Sequence, residues 1–164
     1  MIKYLSGMKD FMLNPKEYST TGNQEIDGVL NYMLQKANKT LNQVDVQINI
    51  PEDLYFNNFN ICVILGNLVD NAVREASKSK EKLLTIKMQI KQEVLLIFIE
   101  NSYSGKILEK RNGLQTTQPE LAIHGIGLEN VKKVVIANGG EIKIDYTSNR
   151  FCVQVLLYMS RIKN

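Results

Sequence analysis

Residues 61–76 read Ile-Cys-Val-Ile-Leu-Gly-Asn-Leu-Val-Asp-Asn-Ala-Val-Arg-Glu-Ala, the most informative segment of the chain for its fold. Its apolar residues recur with helical period, which predicts an amphipathic helix over about residues 60–77 with a wide buried face. A narrow polar stripe follows the same period; its members are Asn67, Asp70, Asn71 and Arg74. Carboxamide oxygens one turn apart can bind a hard cation, and a nearby arginine can hold phosphate oxygens. The plainer interpretation is that the stripe only faces water.

Around this helix, the chain alternates between helical and strand patterns. Helical spacing predicts further helices over residues 24–41 and 127–137. Alternation of apolar and polar residues predicts five strands, at 44–50, 83–91, 93–99, 141–146 and 151–158. The order of these elements favours an α+β two-layer sandwich, in which three helices cover one face of a mixed or antiparallel sheet.

Composition limits the chemistry. The 164 residues suit one domain, and 44% hydrophobic residues allow a packed core. A net charge of +3, with the basic residues spread along the chain, disfavours a nucleic-acid partner. The longest apolar runs fall far short of the ~20 residues of a membrane span. The single histidine, His124, and two distant cysteines, Cys62 and Cys152, disfavour a zinc cluster, and both thiols are expected to be buried and reduced.

Two other segments combine polar residues with glycine. Asn101-Ser-Tyr-Ser-Gly105 begins where an apolar strand ends, and His124-Gly-Ile-Gly-Leu128 places two glycines just before a predicted helix. Backbone N–H groups at such a helix start can approach an anion closely. Residues 101–125, which lie between these features, show no clear periodicity, and long loops of this kind are usually functional or mobile.

The order of these segments resembles the ATP-binding fold of the GHKL superfamily, which is shared by gyrase, a heat-shock chaperone, MutL and the sensor histidine kinases. Asn67-Leu-Val-Asp-Asn71-Ala resembles the N box of the histidine kinases. Asn101-Ser-Tyr-Ser-Gly105 resembles their first glycine box, and His124-Gly-Ile-Gly-Leu128 resembles the second. The similarity covers about residues 20–158. The residues of these motifs most resemble those of the pheromone-sensing receptor kinases of Gram-positive bacteria. The segment Thr21-Gly-Asn-Gln-Glu-Ile-Asp27 agrees with that subgroup.

The resemblance implies a Bergerat fold, with three helices on one face of a five-stranded mixed sheet. It implies that residues 20–160 form a catalytic domain that binds ATP and Mg²⁺ and transfers the γ-phosphoryl group to a histidine on a dimerisation helix. Residues 1–19 resemble the end of that helix and its linker. The implied partners are the dimerisation domain of the same kinase and a response regulator. The domain would be the cytoplasmic portion of a membrane receptor, without itself contacting the membrane.

The resemblance assigns roles at the phosphate end of the site. Asn71 would coordinate Mg²⁺, while Asn67 and Arg74 would act in catalysis, Asn67 by contacting phosphate or a metal-bound water and Arg74 by contacting phosphate. In ATP-hydrolysing relatives, a glutamate at the position of Asn67 activates water as a general base. A carboxamide has no basic oxygen near neutral pH, which favours transfer to a side chain over hydrolysis.

The second glycine box and the loop before it would close over the nucleotide. Gly125, Gly127 and Leu128 would border the nucleotide, and His124 would touch the phosphates as the loop closes. An exposed histidine without such a contact is the alternative at position 124. Gln118 stands where relatives commonly have a lysine, which removes one positive charge from the γ-phosphate site.

The first glycine box would hold the base. Asn101 stands where most relatives have an aspartate that reads the adenine amino group. A carboxamide oxygen can accept the same hydrogen bond without the charge. Tyr103 stands where the box usually has glycine and would narrow the adenine pocket, while Gly105 keeps the second glycine.

Other functions stay open. An ATP-driven conformational switch predicts steady-state hydrolysis, and the lack of glutamate at position 67 argues against it. A degenerate domain that binds nucleotide or a partner without kinase activity, or a relative that phosphorylates serine on a regulator protein, fits the departures at Asn101, Tyr103 and Gln118. Because the only histidine is His124 in the nucleotide loop, the chain is expected to be a catalytic fragment that does not phosphorylate itself.

Overall fold

The computed structural model describes residues 21–54, 56–104 and 125–159. The helices are α1 (Gln24–Thr40), α2 (Asn58–Lys78) and α3 (Gly125–Ala137). The strands are β1 (Gln43–Asn49), β2 (Leu83–Lys91), β3 (Val94–Ser102), β4 (Glu141–Tyr146) and β5 (Arg150–Tyr158). Every element predicted within these ranges is present. The expected remnant of a dimerisation helix, residues 1–19, lies outside the described residues.

The five strands form one mixed sheet with the order β1-β2-β3-β5-β4. Strands β1 and β2 are parallel, with α2 in the connection between them, and every other pairing is antiparallel. One row of apolar residues crosses the whole sheet in register: Val46, Ile86, Ile99, Val153 and Ile144. These side chains belong to the core or pack against it, together with the apolar faces of the helices. The two-layer α+β prediction is therefore confirmed.

Helix α2 is held by the apolar face that the sequence predicts. Ile61, Leu65 and Leu68 are each no more than 2% exposed, and burial of a side chain of this size is worth about 1.5–3 kcal/mol. The helix begins at Asn58, earlier than expected, because the Asn57 side chain caps it and accepts a hydrogen bond from the Asn60 amide at 3.3 Å.

Two element boundaries near the site differ from the predicted ones. Strand β3 continues to Ser102, because β5 supplies partners as far as Arg150, and Asn101 therefore lies within the strand rather than beyond it. Helix α3 begins at Gly125, two residues before the predicted start, so that Gly127 lies within its first turn. Strands β2 and β3 form an antiparallel hairpin in which Lys91 pairs with Val94.

The end of α3 lies unusually close to the sheet. The Gly140 amide donates to the Val135 carbonyl at 2.8 Å, which ends the helix. A Cβ atom on Gly140 would lie 2.5 Å from the carbonyl oxygen of Leu156, so only glycine fits this position. The chain after α3 thus packs directly on β5, while the first turn of α3 approaches the polar stripe of α2 at Gly127.

Candidate functional site

A pocket opens between α2, the beginning of α3 and the ends of β3 and β5. The residues that line it are Leu68, Asn71, Ala72, Glu75, Ile99, Asn101, Tyr103, Leu128, Phe151 and Val153. The structure thus brings together four residues that the sequence singled out: Asn71, Asn101, Tyr103 and Leu128. A largely apolar cleft with a few amide and carboxylate groups suits a flat heterocycle that is oriented by a small number of hydrogen bonds.

Asn101 presents a carboxamide at the deep end of this pocket. The residue is only 4% exposed. Its Nδ2 donates to the carbonyl oxygen of Ser102 at 2.9 Å, a contact that assigns the orientation of the amide. The donor side of the amide is therefore engaged by the backbone, and Oδ1 is the atom that can accept a hydrogen bond from a ligand.

Tyr103 forms the wall beside Asn101 instead of leaving the open space that a glycine would give. Its hydroxyl donates to the carbonyl oxygen of Thr147, and its amide donates to the Asn149 carbonyl oxygen at 3.2 Å. Its ring meets Phe151 edge to face, with the ring centroids 6.1 Å apart. Tyr103 thus fastens the turn between β4 and β5 to the pocket.

The same turn is held from its outer side by an ion pair. Nη2 of Arg150 lies 2.7 Å from Oε2 of Glu81. The hydrogen bond from Arg150 holds the pKa of the Glu81 carboxyl below its usual value, and the same bond raises the pKa of the Arg150 guanidinium. Because the pair is exposed to solvent, salt screens it, and its role is to position the turn more than to stabilise the fold.

Gly127 marks the junction of α2 and α3 at the other end of the pocket. A Cβ atom on Gly127 would lie 3.2 Å from Nδ2 of Asn71 and 3.4 Å from Oδ1 of Asn67. Both carboxamides of the polar stripe therefore face the first turn of α3. The interpretation that the stripe only faces water does not hold for Asn71, whose Nδ2 is buried.

Asn71 and Arg74 are in direct contact. Nη2 of Arg74 donates to Oδ1 of Asn71 at 3.1 Å and to Oδ2 of Asp70 at 2.7 Å. Nδ2 of Asn71 is buried without a hydrogen-bond partner among the described residues. A buried amide with an unpaired donor is costly, typically ~1–3 kcal/mol. The contacts of the fold itself therefore do not satisfy this side chain.

The carboxamides fit the expected place of Mg²⁺. Nδ2 of Asn67 donates to the Val63 carbonyl oxygen at 2.8 Å, which leaves Oδ1 as its ligand atom. The described parts of the chain contain no cluster of three or more His, Cys, Asp or Glu side chains that could hold a metal ion. Mg²⁺ is commonly bound by one or two protein oxygens, with phosphates and waters completing its shell. The donor set of Asn67 and Asn71 suits that arrangement.

Not every predicted site residue lies in the pocket. Asn67 lines a separate groove with Met33 of α1 and Gly66, and Arg74 is turned back along its own helix. Gly105, Gln118 and His124 lie outside the described residues, and Gly125 is the first residue of α3.

The sequence reasoning missed part of the pocket. Glu75 lines it one helical turn after Asn71, and that spacing could have revealed it. Phe151 lines it from β5, but only the pairing of Phe151 with Asn101 across the sheet brings it there.

Neither cysteine belongs to this pocket. Both are free thiols; Cys152 is buried, as expected, whereas Cys62 is only half-buried. Burial raises the pKa of both thiols, and the carboxylates of Glu25 and Glu100 raise it further at Cys62 and Cys152 respectively. Thiols in this state are poor nucleophiles.

Comparisons with known proteins agree with this geometry. The family model described as the GHKL domain matches residues 56–158, more than half of the chain. No curated protein matches. Among solved structures, the chain is similar to the Acinetobacter baumannii histidine kinase AdeS, at 17% identity over 96% of this chain and 75% of that one, with a TM-score of 0.61.

Two further solved structures support the fold. The nucleotide-free catalytic domain of histidine kinase ThkA matches at 17% identity over 89% of this chain and 99% of that one, with a TM-score of 0.61. The histidine kinase domain of the Erythrobacter litoralis EL346 blue-light-activated kinase matches at 14% identity over 90% and 69%, with a TM-score of 0.61. The chain therefore belongs to the GHKL domain family and has the Bergerat-type fold of histidine kinase catalytic domains.

Proposed function

We propose that this chain is the catalytic domain of a histidine kinase, which binds MgATP and transfers its γ-phosphoryl group to a histidine on a dimerisation helix outside this chain. The observation that carries the proposal is the junction at Gly127, where Asn67 and Asn71 face the first turn of α3 beside the pocket of Asn101. A nucleotide whose base is held by Asn101 would place its phosphates near this junction. There, backbone N–H groups and the helix dipole favour anions.

The residues of the chain act by position and charge. Asn71 would hold Mg²⁺, and Asn67 would contact phosphate or a metal-bound water; when bound, the ion would neutralise charge that develops during transfer. Arg74, one turn from Asn71, would exchange its contact with Asp70 for a phosphate oxygen. Oδ1 of Asn101 would accept a hydrogen bond from the adenine amino group, and Leu128 and Tyr103 would border the base.

Transfer to a side chain is favoured over hydrolysis. The bond from the γ-phosphorus to the β–γ bridging oxygen breaks, a bond to an imidazole nitrogen forms, and ADP leaves. Asn67 stands near the phosphate end, and a carboxamide cannot take a proton from water. The acceptor histidine, the response regulator and an attachment to a membrane receptor would all lie outside the described residues. Those residues contain no helix long and apolar enough to span a bilayer.

We also propose that the domain spans residues 20–160 and belongs to a pheromone-sensing receptor kinase of the quorum-sensing type. Support comes from the segment that resembles this subgroup. Asp27 accepts hydrogen bonds from the Thr21 amide at 2.9 Å and the Thr21 hydroxyl at 2.8 Å, which fixes the start of the domain. A linker from an upstream helix would be anchored at this point.

Calorimetry with ATP, with and without Mg²⁺, tests the proposal. We expect Mg²⁺-dependent binding that Asn71→Ala weakens about 30-fold or more, since a hydrogen bond or ligand contact to a charged group is worth ~2–3 kcal/mol. Asp145→Asn, which removes a carboxylate that pairs with Lys143 on the outer edge strand, is the matched control and should bind like the original chain. Absence of binding would support a partner-binding module without nucleotide chemistry.

Radiolabelling tests the transfer step. With γ-labelled ATP, the chain alone should stay unlabelled, while the longer protein that includes the dimerisation helix should gain an acid-labile phosphohistidine. A stoichiometric acid-labile label on the isolated chain would contradict the proposal. Rapid release of labelled phosphate would instead support an ATP-driven switch.

A further inference from the structure

Glu75 is a carboxylate in the pocket to which the resemblance assigns no role. It lies one helical turn after Asn71 and lines the same cleft. Its side chain is 20% exposed, and its Oε1 pairs with Nζ of Lys78 at 3.2 Å. Lys78 is 57% exposed, so the ion pair holds the carboxylate from the solvent side. A carboxylate at the rim of a mostly apolar cleft favours a ligand that brings hydrogen-bond donors to it.

The depth of the pocket determines which part of a nucleoside reaches Glu75. Asn101 is 4% exposed and Tyr103 closes the wall beside it, so a base that Asn101 reads enters with its amino edge deepest. The opposite edge, which carries the sugar, then points back toward the rim. The phosphates continue from the sugar to the junction at Gly127. The sugar therefore lies between Asn101 and Gly127, on the side of the pocket that α2 forms.

On that side, α2 presents two polar groups to the pocket, Asn71 and Glu75. Residues four apart on a helix lie about 6 Å apart along its axis, a spacing that matches the step from a phosphate to a ribose. Asn71 faces Gly127, so Glu75 is the group at the level of the sugar. A carboxylate only accepts hydrogen bonds, and the 2′- and 3′-hydroxyls of ribose are donors.

We propose that Glu75 is a specificity-determining residue that binds the ribose hydroxyls and makes the site select ribonucleotides over deoxyribonucleotides. This inference rests on the proposed function, since it takes the pocket to be a nucleotide site. Lys78 acts as the positioning residue, because its ammonium donates to Oε1 of Glu75 at 3.2 Å from the solvent side while Glu75 lines the pocket.

Equilibrium binding of ATP, 2′-deoxy-ATP and 3′-deoxy-ATP to the chain, each with Mg²⁺, tests the inference. The chain should prefer ATP to at least one deoxy analogue by about tenfold, the value of one charge-assisted hydrogen bond. Glu75→Ala should weaken the binding of ATP by the same factor and leave the affinity for the deoxy analogue almost unchanged. The preference for ATP should therefore disappear. Glu75→Gln, which keeps the shape of the side chain, should retain a smaller preference. Asp145→Asn should keep the full preference.

The outcomes separate the inference from the proposed function. If ATP and both deoxy analogues bind equally well, the ribose subsite is wrong while the nucleotide site stands. If Glu75→Ala weakens all three ligands equally, its effect is structural and the inference is again wrong. If GTP binds more tightly than ATP and Glu75→Gln abolishes that binding, the carboxylate reads the base. If no nucleotide binds to a chain whose circular dichroism shows it folded, the proposed function itself fails.

Discussion

The two ends of the pocket that we propose for the nucleotide, called below the base end and the phosphate end after that proposal, are built in opposite ways. At the base end, Asn101 and Tyr103 lie buried at the end of a central strand and donate to backbone oxygens. At the phosphate end, Asn71 and Arg74 lie on one helix, contact each other, and leave a buried amide donor unpaired. The base end is complete without a ligand, whereas the phosphate end uses contacts that a ligand would have to replace.

This difference follows from how each end is supported. Strand β3 has neighbours on both sides, and backbone hydrogen bonds hold each of its residues in place. The polar stripe of α2 is one face of a single helix; the first turn of α3 approaches it at Asn67 and Asn71, and α1 adds an exposed ion pair between Lys36 and Asp70. Substitutions at the base end should therefore change the stability of the fold, and substitutions at the phosphate end should change binding with little effect on stability.

Tyr103→Ala gives the largest expected effect. The change removes a buried ring, its hydrogen bond to Thr147 and its contact with Phe151, so we expect the free energy of unfolding to fall by about 3–5 kcal/mol. Urea denaturation followed by circular dichroism measures this loss.

Tyr103→Phe is the matched variant for that experiment. It keeps the ring and loses only the hydroxyl, so the expected loss is about 1 kcal/mol. Equal losses in the two variants would show that the hydroxyl, and not the ring, holds the pocket. A loss below ~1 kcal/mol for Tyr103→Ala would contradict the view that the base end is part of the core.

The base end also shows what the sequence could predict and what it could not. The helical period of residues 61–76 and the alternation in the strands follow from local burial, so fold class and most element bounds were predictable. The position of Asn101 within β3, rather than after it, depends on the distant strand β5. Contacts of that kind leave no local pattern, which is why Phe151 was missed.

At the phosphate end, too, the sequence predicted which residues lie together but not their contacts. The spacing of Asn67, Asn71 and Arg74 predicted one polar face, and all three do lie on it. Their partners were not predictable, because the approach of Gly127 depends on how α3 packs and the pairing of Arg74 with Asp70 depends on rotamers. Glu75 was predictable from its spacing, but only once Asn71 was known to face a pocket.

Asp70→Asn tests the phosphate end with an intermediate effect. Asp70 pairs with Arg74 at 2.7 Å and with Lys36 at 3.6 Å, and these exposed pairs are worth only ~0–1 kcal/mol of stability. Removing the charge should release Arg74 and increase the affinity for MgATP by about two- to fivefold at low salt. The reason is that a phosphate no longer competes with the Asp70 carboxylate for the guanidinium. Calorimetry at two salt concentrations measures this, with Asp145→Asn as the control. Weaker binding in Asp70→Asn would mean that Asp70 itself holds the ligand.

Glu81→Gln gives the smallest effect and tests the exposed ion pair behind the base end. The hydrogen bond from Arg150 lowers the pKa of the folded Glu81 carboxyl from its ordinary value of 4.5. A depressed carboxyl pKa contributes stability above the pKa of the unfolded chain, and that contribution is lost as the pH falls through the folded pKa. The stability difference between the original chain and Glu81→Gln should therefore be constant near pH 7 and shrink below about pH 4.5.

Because the carboxylate is exposed, added salt should reduce the difference at neutral pH. Urea denaturation between neutral and acidic pH measures both trends. A difference that stays constant on acidification would mean that the charge of Glu81 does not hold the turn, which Tyr103 would then fasten without the ion pair.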